Sequence, residues 1–151
     1  MTGLMNFKGK KKSELVAMLE ELYCCEAPRV SVADDMAKVF RGVIGRKRQE
    51  HFLVCYLDGA NKILKTDVVF IGTLNKCIVH PREIFAPALE LRAASVILGH
   101  NHPSDNLEPS LEDMNITRRL VEAGKILGIE ILDHVIFTKT RHYSFQGNGK
   151  I

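Results

Sequence analysis

Hydrophobic residues recur along this chain in two patterns, and each pattern predicts a different kind of element. A spacing of three and four residues predicts four helices. These lie at 13–22, 34–43, 81–91 and 111–127. Short apolar runs bounded by turn residues predict strands. The strands lie at 52–57, 62–70, 76–79, 93–98, 129–137 and 142–145. Strands interrupted by helices predict a mixed α/β domain with helices flanking one sheet.

Turn and capping residues sharpen the boundaries of several elements. Asp58-Gly59-Ala60-Asn61 predicts a hairpin between the first two strands. Ser110 is the expected N-cap of the helix at 111–127, and Gly128 is expected to end it. Leu127 is assigned to the buried stripe of that helix. Pro87 should kink or interrupt the helix at 81–91.

Composition is that of an ordinary globular protein, with 151 residues, 46% hydrophobic and 26% charged. We expect a basic tail and helical lead-in over residues 1–45 and a main domain over residues 46–151. No apolar run approaches the length that spans a bilayer, so no membrane partner is expected. At the N-terminus apolar residues precede the lysines, which is the reverse of a signal peptide, and this predicts a cytoplasmic protein.

The net charge of +3 is distributed unevenly along the chain. Residues 1–49 carry ten Lys/Arg against six Asp/Glu, and the basic residues cluster at 8–12 and 46–48. Either cluster could contact phosphates, which leaves a weak nucleic-acid contact open as an alternative. A solvated surface or tail is the commoner explanation of such clusters.

The four cysteines predict reduced thiols rather than a metal site. Cys24 and Cys25 are adjacent, Cys55 and Cys77 are isolated, and no C-x-x-C pair is present. Adjacent cysteines do not easily clamp one ion, so a cysteine-ligated zinc is disfavoured.

The segment from His100 to Asp113 carries the clearest chemistry. Side chains at i and i+2 of an extended segment point the same way, which places His100 and His102 on one face. With Asp113 they would make a three-ligand site that keeps one position for water, as catalytic zinc sites do. Ser110 and Asp113 also fit a capping box, which would explain that pair without any metal.

These residues resemble a known motif. His100-x-His102, seven residues, Ser110, two residues and Asp113 match the JAMM motif of the JAB/MPN metalloprotease superfamily at every spacing. The flanking residues are similar to the RadC-type branch, and the resemblance covers about residues 46 to 146. The matching segments are 72–73, 79–83, 99–104, 108–110, 113, 117–120, 122–124 and 132–134.

The resemblance implies a JAB/MPN (cytidine-deaminase-like) fold with His100, His102 and Asp113 as ligands of Zn²⁺. It implies a zinc-dependent hydrolase that cleaves a peptide or isopeptide bond, with Ser110 stabilising the oxyanion and Glu50 as general base. Glu83, at the start of a predicted helix, is the rival base. The alternative is a DNA-repair-associated accessory protein whose metal site is structural or vestigial. The sequence specifies neither the substrate nor the oligomeric state.

Three positions carry further expectations. RadC-type sequences usually have glycine where this chain has Asp105, but aspartate tolerates the left-handed backbone that the turn requires. His134 is expected to be a hydrogen-bonded core residue, with support of a metal ligand as the alternative, and Asn101 is expected to hold the loop rather than a metal. Longer members of this branch have an N-terminal helix-hairpin-helix region associated with DNA binding, and residues 13–45 are expected to form only a shortened lead-in.

Overall fold

A computed structural model describes residues 33–72 and 79–151 of the protein. Its centre is a five-stranded sheet with helices on both faces. Its helices are α1 (Ala33–Ile44), α2 (Pro81–Glu90) and α3 (Leu111–Leu127). Its strands are β1 (His51–Leu57), β2 (Ile63–Ile71), β3 (Ser95–Asn101), β4 (Glu130–Phe137) and β5 (His142–Ser144). The mixed α/β architecture expected for a JAB/MPN domain is confirmed.

The strands are ordered β2-β1-β3-β4-β5 across the sheet. Three of the four pairings are antiparallel, and only β3 and β4 run parallel. A parallel pair requires a crossover connection, and α3 supplies it. The first turn of α3 therefore follows the loop that leaves β3, which sets the geometry of the site described below.

The alternation of side chains along β1 divides the core into two parts. Phe52, Val54 and Tyr56 face one way and pack with residues of α2 and α3. Leu53, Cys55 and Leu57 face the other way and pack with α1. Every residue of β1 is therefore buried, as its continuous apolar run predicts.

Helix α1 is anchored to the second face of the sheet by an aromatic residue over a glycine. Phe40 is fully buried and stacks on Phe137, with ring centroids 5.8 Å apart. A Cβ at Gly99 would lie 2.4 Å from the Phe40 ring, so only glycine lets the helix approach β3 this closely. Because Gly99 directly precedes His100, this contact supports the strand at the point where the candidate site begins.

Two local expectations, an interruption of α2 and the burial of Leu127, were wrong. Helix α2 runs through Pro87 without interruption, and the alternative of a kink there stays a prediction. The hydrogen bond that proline cannot donate would reach Glu83, which is exposed in the first turn, so water can satisfy that carbonyl. Leu127 is 44% exposed rather than part of the buried stripe of α3, whose buried residues are Asp113, Thr117, Leu120 and Gly124.

Other expectations are confirmed or lie outside the described residues. The hairpin turn forms, with the Asp58 carboxylate accepting hydrogen bonds from the backbone N–H groups of Ala60 and Lys62. Cys55 is buried with a free thiol. The tail at 1–12, the helix at 13–22, the other cysteines and nearly all of the strand at 76–79 fall outside the described ranges. The domain boundary at residue 46 stays a prediction, although α1 shares a core with the sheet.

Within residues 33–72 and 79–151, no helix has both the length and the apolar character that crossing a bilayer requires.

Replacing Gly99 by alanine tests the contact between α1 and β3. We expect Gly99→Ala to lower the free energy of unfolding by about 1–3 kcal/mol, because the new methyl group overlaps a packed ring. Gly42→Ala is the control, since that site in α1 is open and alanine should be neutral or stabilising by at most about 1 kcal/mol. Urea denaturation measures both values, and equal effects of the two substitutions would contradict the proposed contact.

Candidate metal centre

The end of β3 carries the two histidines of the motif. The strand extends to Asn101, three residues beyond its predicted end, so His100 is a buried strand residue. His102 follows the strand, and its backbone N–H still donates to the carbonyl of Phe137 in β4, at 3.0 Å. Both imidazoles are therefore fixed by the sheet rather than by a free loop.

The first turn of α3 fixes the carboxylate of the motif. Ser110 is the N-cap, and its hydroxyl accepts a hydrogen bond from the backbone N–H of Asp113. In return Asp113 Oδ2 accepts from the backbone N–H of Ser110 at 2.8 Å. The expected capping box is thus present, and it leaves the other carboxylate oxygen, Oδ1, buried without a hydrogen bond from the described residues.

The three predicted metal ligands come together in space. One ligand atom each from His100, His102 and Asp113 lies within 4.8 Å of the others. The Nε2 atoms of the two histidines are 2.8 Å apart, and His100 Nε2 is 3.2 Å from Asp113 Oδ1. His100 and Asp113 are buried, and only His102 is partly exposed, so the cluster opens on the His102 side.

A chain of hydrogen bonds sets the protonation of His100. Thr117 donates its only hydroxyl proton to the Asp113 carbonyl at 2.6 Å, so His134 Nδ1–H must donate to Thr117 Oγ1. His134 is fully buried, and burial, followed by the neighbouring His100, holds its pKa well below the usual 6.5. Neutral His134 therefore has a lone pair on Nε2, which accepts from His100 Nδ1–H at 2.8 Å. This leaves the lone pair of His100 on Nε2.

The same reasoning applies to His102. Its Nδ1–H donates to the Asn106 carbonyl at 2.6 Å, so the neutral ring has its lone pair on Nε2. Two imidazole lone pairs thus face the buried Asp113 Oδ1, which accepts no hydrogen bond from the described residues. An unsatisfied buried acceptor costs about 1–3 kcal/mol. The lone pairs of three such hydrogen-bond acceptors can coordinate a metal ion, and the cluster could bind one.

The electrostatics of the cluster favour a deprotonated carboxylate. Burial alone would raise the pKa of Asp113, but hydrogen bonding and charge from His100 and His102, when either ring holds a proton on Nε2, outweigh burial and hold it below its usual value. For His102, burial acts to lower the pKa, whereas Asp113 and the Asn106 carbonyl act to raise it, and the net pKa lies above 6.5. In the absence of a metal, a proton on His102 would take the place of the cation.

Glu50 lies next to the cluster, immediately before β1. Phe52 pairs with His100, so continuing this antiparallel register by two residues sets Glu50 across from His102. The Glu50 carboxylate also contributes to the raised pKa of His102. Its role as a base stays a prediction.

The side chain of Asn101 holds the segment that carries Glu50. Its Oδ1 accepts from the backbone N–H of His51 at 2.6 Å, and its Nδ2 donates to the Gln49 carbonyl at 3.1 Å. These two bonds bracket Glu50, so Asn101 holds backbone rather than metal, as expected.

The two remaining sequence expectations concern Glu83 and Asp105. Glu83 lies in the exposed first turn of α2, where its carboxylate is 3.0 Å from Arg82 Nε. Asp105 adopts the left-handed backbone expected of it, with φ 64°.

Sequence reasoning does not identify the partner of His134. It favours a hydrogen-bonded core residue and leaves support of a metal ligand as the alternative, and the structure makes His134 both, through a bond to His100, which lies 34 residues away. Thr117 was assigned only to the apolar stripe of its helix. A polar residue in a buried helical stripe, with a histidine in the middle of a buried strand, was the available signal.

A His-x-His pair at a strand end, facing an aspartate in the first turn of the next helix, is the arrangement expected of a JAB domain. A family model described as the RadC-like JAB domain matches residues 30–150. The chain therefore belongs to the RadC-like JAB family.

Among the curated relatives of this chain are proteins that bear the name UPF0758. It is 48% identical over 125 residues to one from Methanospirillum hungatei, covering 82% of this chain and 56% of the relative. It is 43% identical over 152 residues to one from Methanosarcina mazei, covering 96% of this chain and 66% of the relative. The chain thus spans between about half and two thirds of the length of these curated relatives.

Replacing Thr117 by valine tests the hydrogen-bond chain. Valine has nearly the same shape but no hydroxyl, so His134 Nδ1–H loses its acceptor and His100 loses its fixed tautomer. We expect Thr117→Val to weaken metal binding by about 10- to 100-fold in competition with a chelating dye. Thr117→Ser keeps the hydroxyl and should bind metal nearly as tightly as the wild type. Equal metal affinities for all three proteins would contradict the series of hydrogen bonds from Thr117 to His100.

The raised pKa of His102 predicts a pH dependence of metal binding. A metal must displace the proton that His102 holds, so affinity should fall about tenfold per pH unit below that raised pKa. Because the pKa lies above 6.5, the loss should begin at a higher pH than for an unperturbed histidine. Isothermal titration from about pH 8 to about pH 6 measures this, and constant affinity over that range would contradict it.

Proposed function

We propose that this protein is a zinc-dependent hydrolase of the JAMM type that cleaves a peptide or isopeptide bond. The observation that carries the proposal is the convergence of two imidazole lone pairs on the buried, unbonded Oδ1 of Asp113. Two nitrogens and one carboxylate oxygen, with one side open, match catalytic zinc sites with three protein ligands. His100, His102 and Asp113 would hold the ion.

A bound zinc ion would supply a Lewis acid for the scissile carbonyl and acidify the attacking water. The remaining steps belong to the side chains. Glu50 takes the proton of the water as it attacks and returns it to the leaving amine when the C–N bond breaks. Its position across from His102, on a segment held by Asn101, supports this role.

Ser110 can stabilise the negative charge that develops on the carbonyl oxygen. Its Oγ already accepts from the Asp113 N–H, so the hydroxyl proton is available to donate to another acceptor. A donor held by a helix cap needs little reorganisation during the reaction. Capping and oxyanion stabilisation are therefore compatible in one residue.

Glu50→Gln, with Glu83→Gln as matched control, tests the proposal. We screen zinc-loaded protein against peptide and isopeptide libraries and detect products by mass spectrometry. Glu50→Gln should lower turnover by about 10²- to 10⁴-fold because the water loses its base, with zinc content unchanged. Glu83→Gln should match the wild type.

Three outcomes would contradict the proposal. Purified protein that lacks near-stoichiometric zinc, or that keeps its zinc after His100→Ala, would contradict the assigned metal site. Turnover that Glu50→Gln leaves unchanged would contradict the assignment of Glu50 as the base. A zinc-loaded protein that cleaves no amide in either library would contradict the proposed reaction.

A further inference from the structure

A cavity of about 550 Å³ lies on the α1 side of the sheet, at the strand end that carries the metal cluster. His102 forms part of its wall, so a molecule in the cavity lies next to the ligand that solvent can reach. Three segments complete the wall: the end of α1 with the residues after it, the loop after β3, and the turn between β4 and β5. Its lining includes Arg41, Ile44, Arg46, Lys47, Phe137 and Lys139.

The charges around this cavity are mainly positive. Its lining has four cationic side chains, Arg41, Arg46, Lys47 and Lys139, and one carboxylate, Asp105. The Asp105 carboxylate is 3.4 Å from the guanidinium of Arg141, which offsets its charge.

The cations remain available to a ligand. Arg41 donates to the carbonyls of Thr138 and Arg141 at 2.8 and 2.7 Å, which fixes its position without neutralising its charge. Within residues 33–72 and 79–151, Arg46, Lys47 and Lys139 make no ion pair. The cluster at 46–48, for which the sequence favours a solvated surface and leaves a phosphate contact open, thus contributes two cations to one cavity.

We propose that this cavity binds a carboxylate side chain of the peptide whose scissile bond lies over the metal cluster. The inference rests on the proposed hydrolase function and names its substrate class, an acidic peptide. Buried Ile44 and Phe137 provide apolar contact for the methylene groups of an acidic residue, and the surrounding cations attract its carboxylate.

The shape of the site favours a peptide over a nucleic acid. A cavity of this volume has the size of a pocket for a small molecule or a few side chains. A duplex is bound by cations spread along a surface at the spacing of phosphates. Here the cations surround one concavity, which His102 also lines.

Binding of two matched peptides tests the proposal without requiring turnover. The probes are acetyl-Ala-Glu-Gly-Glu-Ala-amide and its counterpart with both Glu replaced by Gln, titrated into the zinc-loaded full chain at low salt. Amide NMR shifts report the affinity and the place of binding. We expect the acidic peptide to bind at least about fivefold tighter, with shifts concentrated at 44–47 and 137–140.

Charge-reversal variants locate the effect. Arg46→Glu with Lys47→Glu should abolish the preference for the acidic peptide, and Lys139→Glu alone should reduce it. Arg118→Glu with Arg119→Glu is the control, because it changes net charge equally on exposed positions of α3 outside the cavity. The control should keep the preference, and its loss there would overturn the proposal in favour of a net-charge effect.

The remaining outcomes separate this proposal from the hydrolase. Equal affinity for both peptides, or shifts outside the cavity, overturns it even if the protein cleaves amides. A preference for the acidic peptide without cleavage of any amide supports the cavity and counts against the hydrolase. A short DNA duplex that binds the same residues more tightly than the acidic peptide overturns it in favour of nucleic acid.

Discussion

The repulsion among three acceptors in one buried space is the constraint on which the arrangement of this domain depends. The lone pairs of His100 and His102 face a carboxylate oxygen that accepts no hydrogen bond from the described residues. Such a cluster is unfavourable unless a cation or a proton occupies it. The fold must therefore hold these groups together against their repulsion, and each surrounding element contributes to that.

The sheet and α3 supply the rigidity from two directions. Parallel pairing of β3 with β4 fixes the strand end, and the capping box fixes the carboxylate at the start of the crossover helix. The hydrogen-bond chain from the Asp113 carbonyl through Thr117 and His134 to His100 then joins the two sides. Because these hydrogen bonds connect Asp113 to His100, the orientation of one residue depends on that of the other.

The local parts of the site could be predicted from the sequence. His100 and His102 share a face because residues two apart in an extended chain do so, and the cap at Ser110 follows from its spacing to Asp113. The long-range parts could not be predicted. The clamp of Asn101 on the backbone around Glu50 depends on how β1 pairs with β3, and the place of Phe40 over Gly99 depends on how α1 crosses the sheet.

Zinc K-edge X-ray absorption on the zinc-loaded wild-type protein identifies the atoms that bind the ion. We expect a first coordination sphere of nitrogen and oxygen only, at about 2.0–2.1 Å, with the outer scattering of two imidazole rings. A sulfur scatterer at about 2.3 Å would instead place the ion on cysteine thiolates. That result, or the absence of imidazole scattering, would contradict the assignment of the metal to His100, His102 and Asp113.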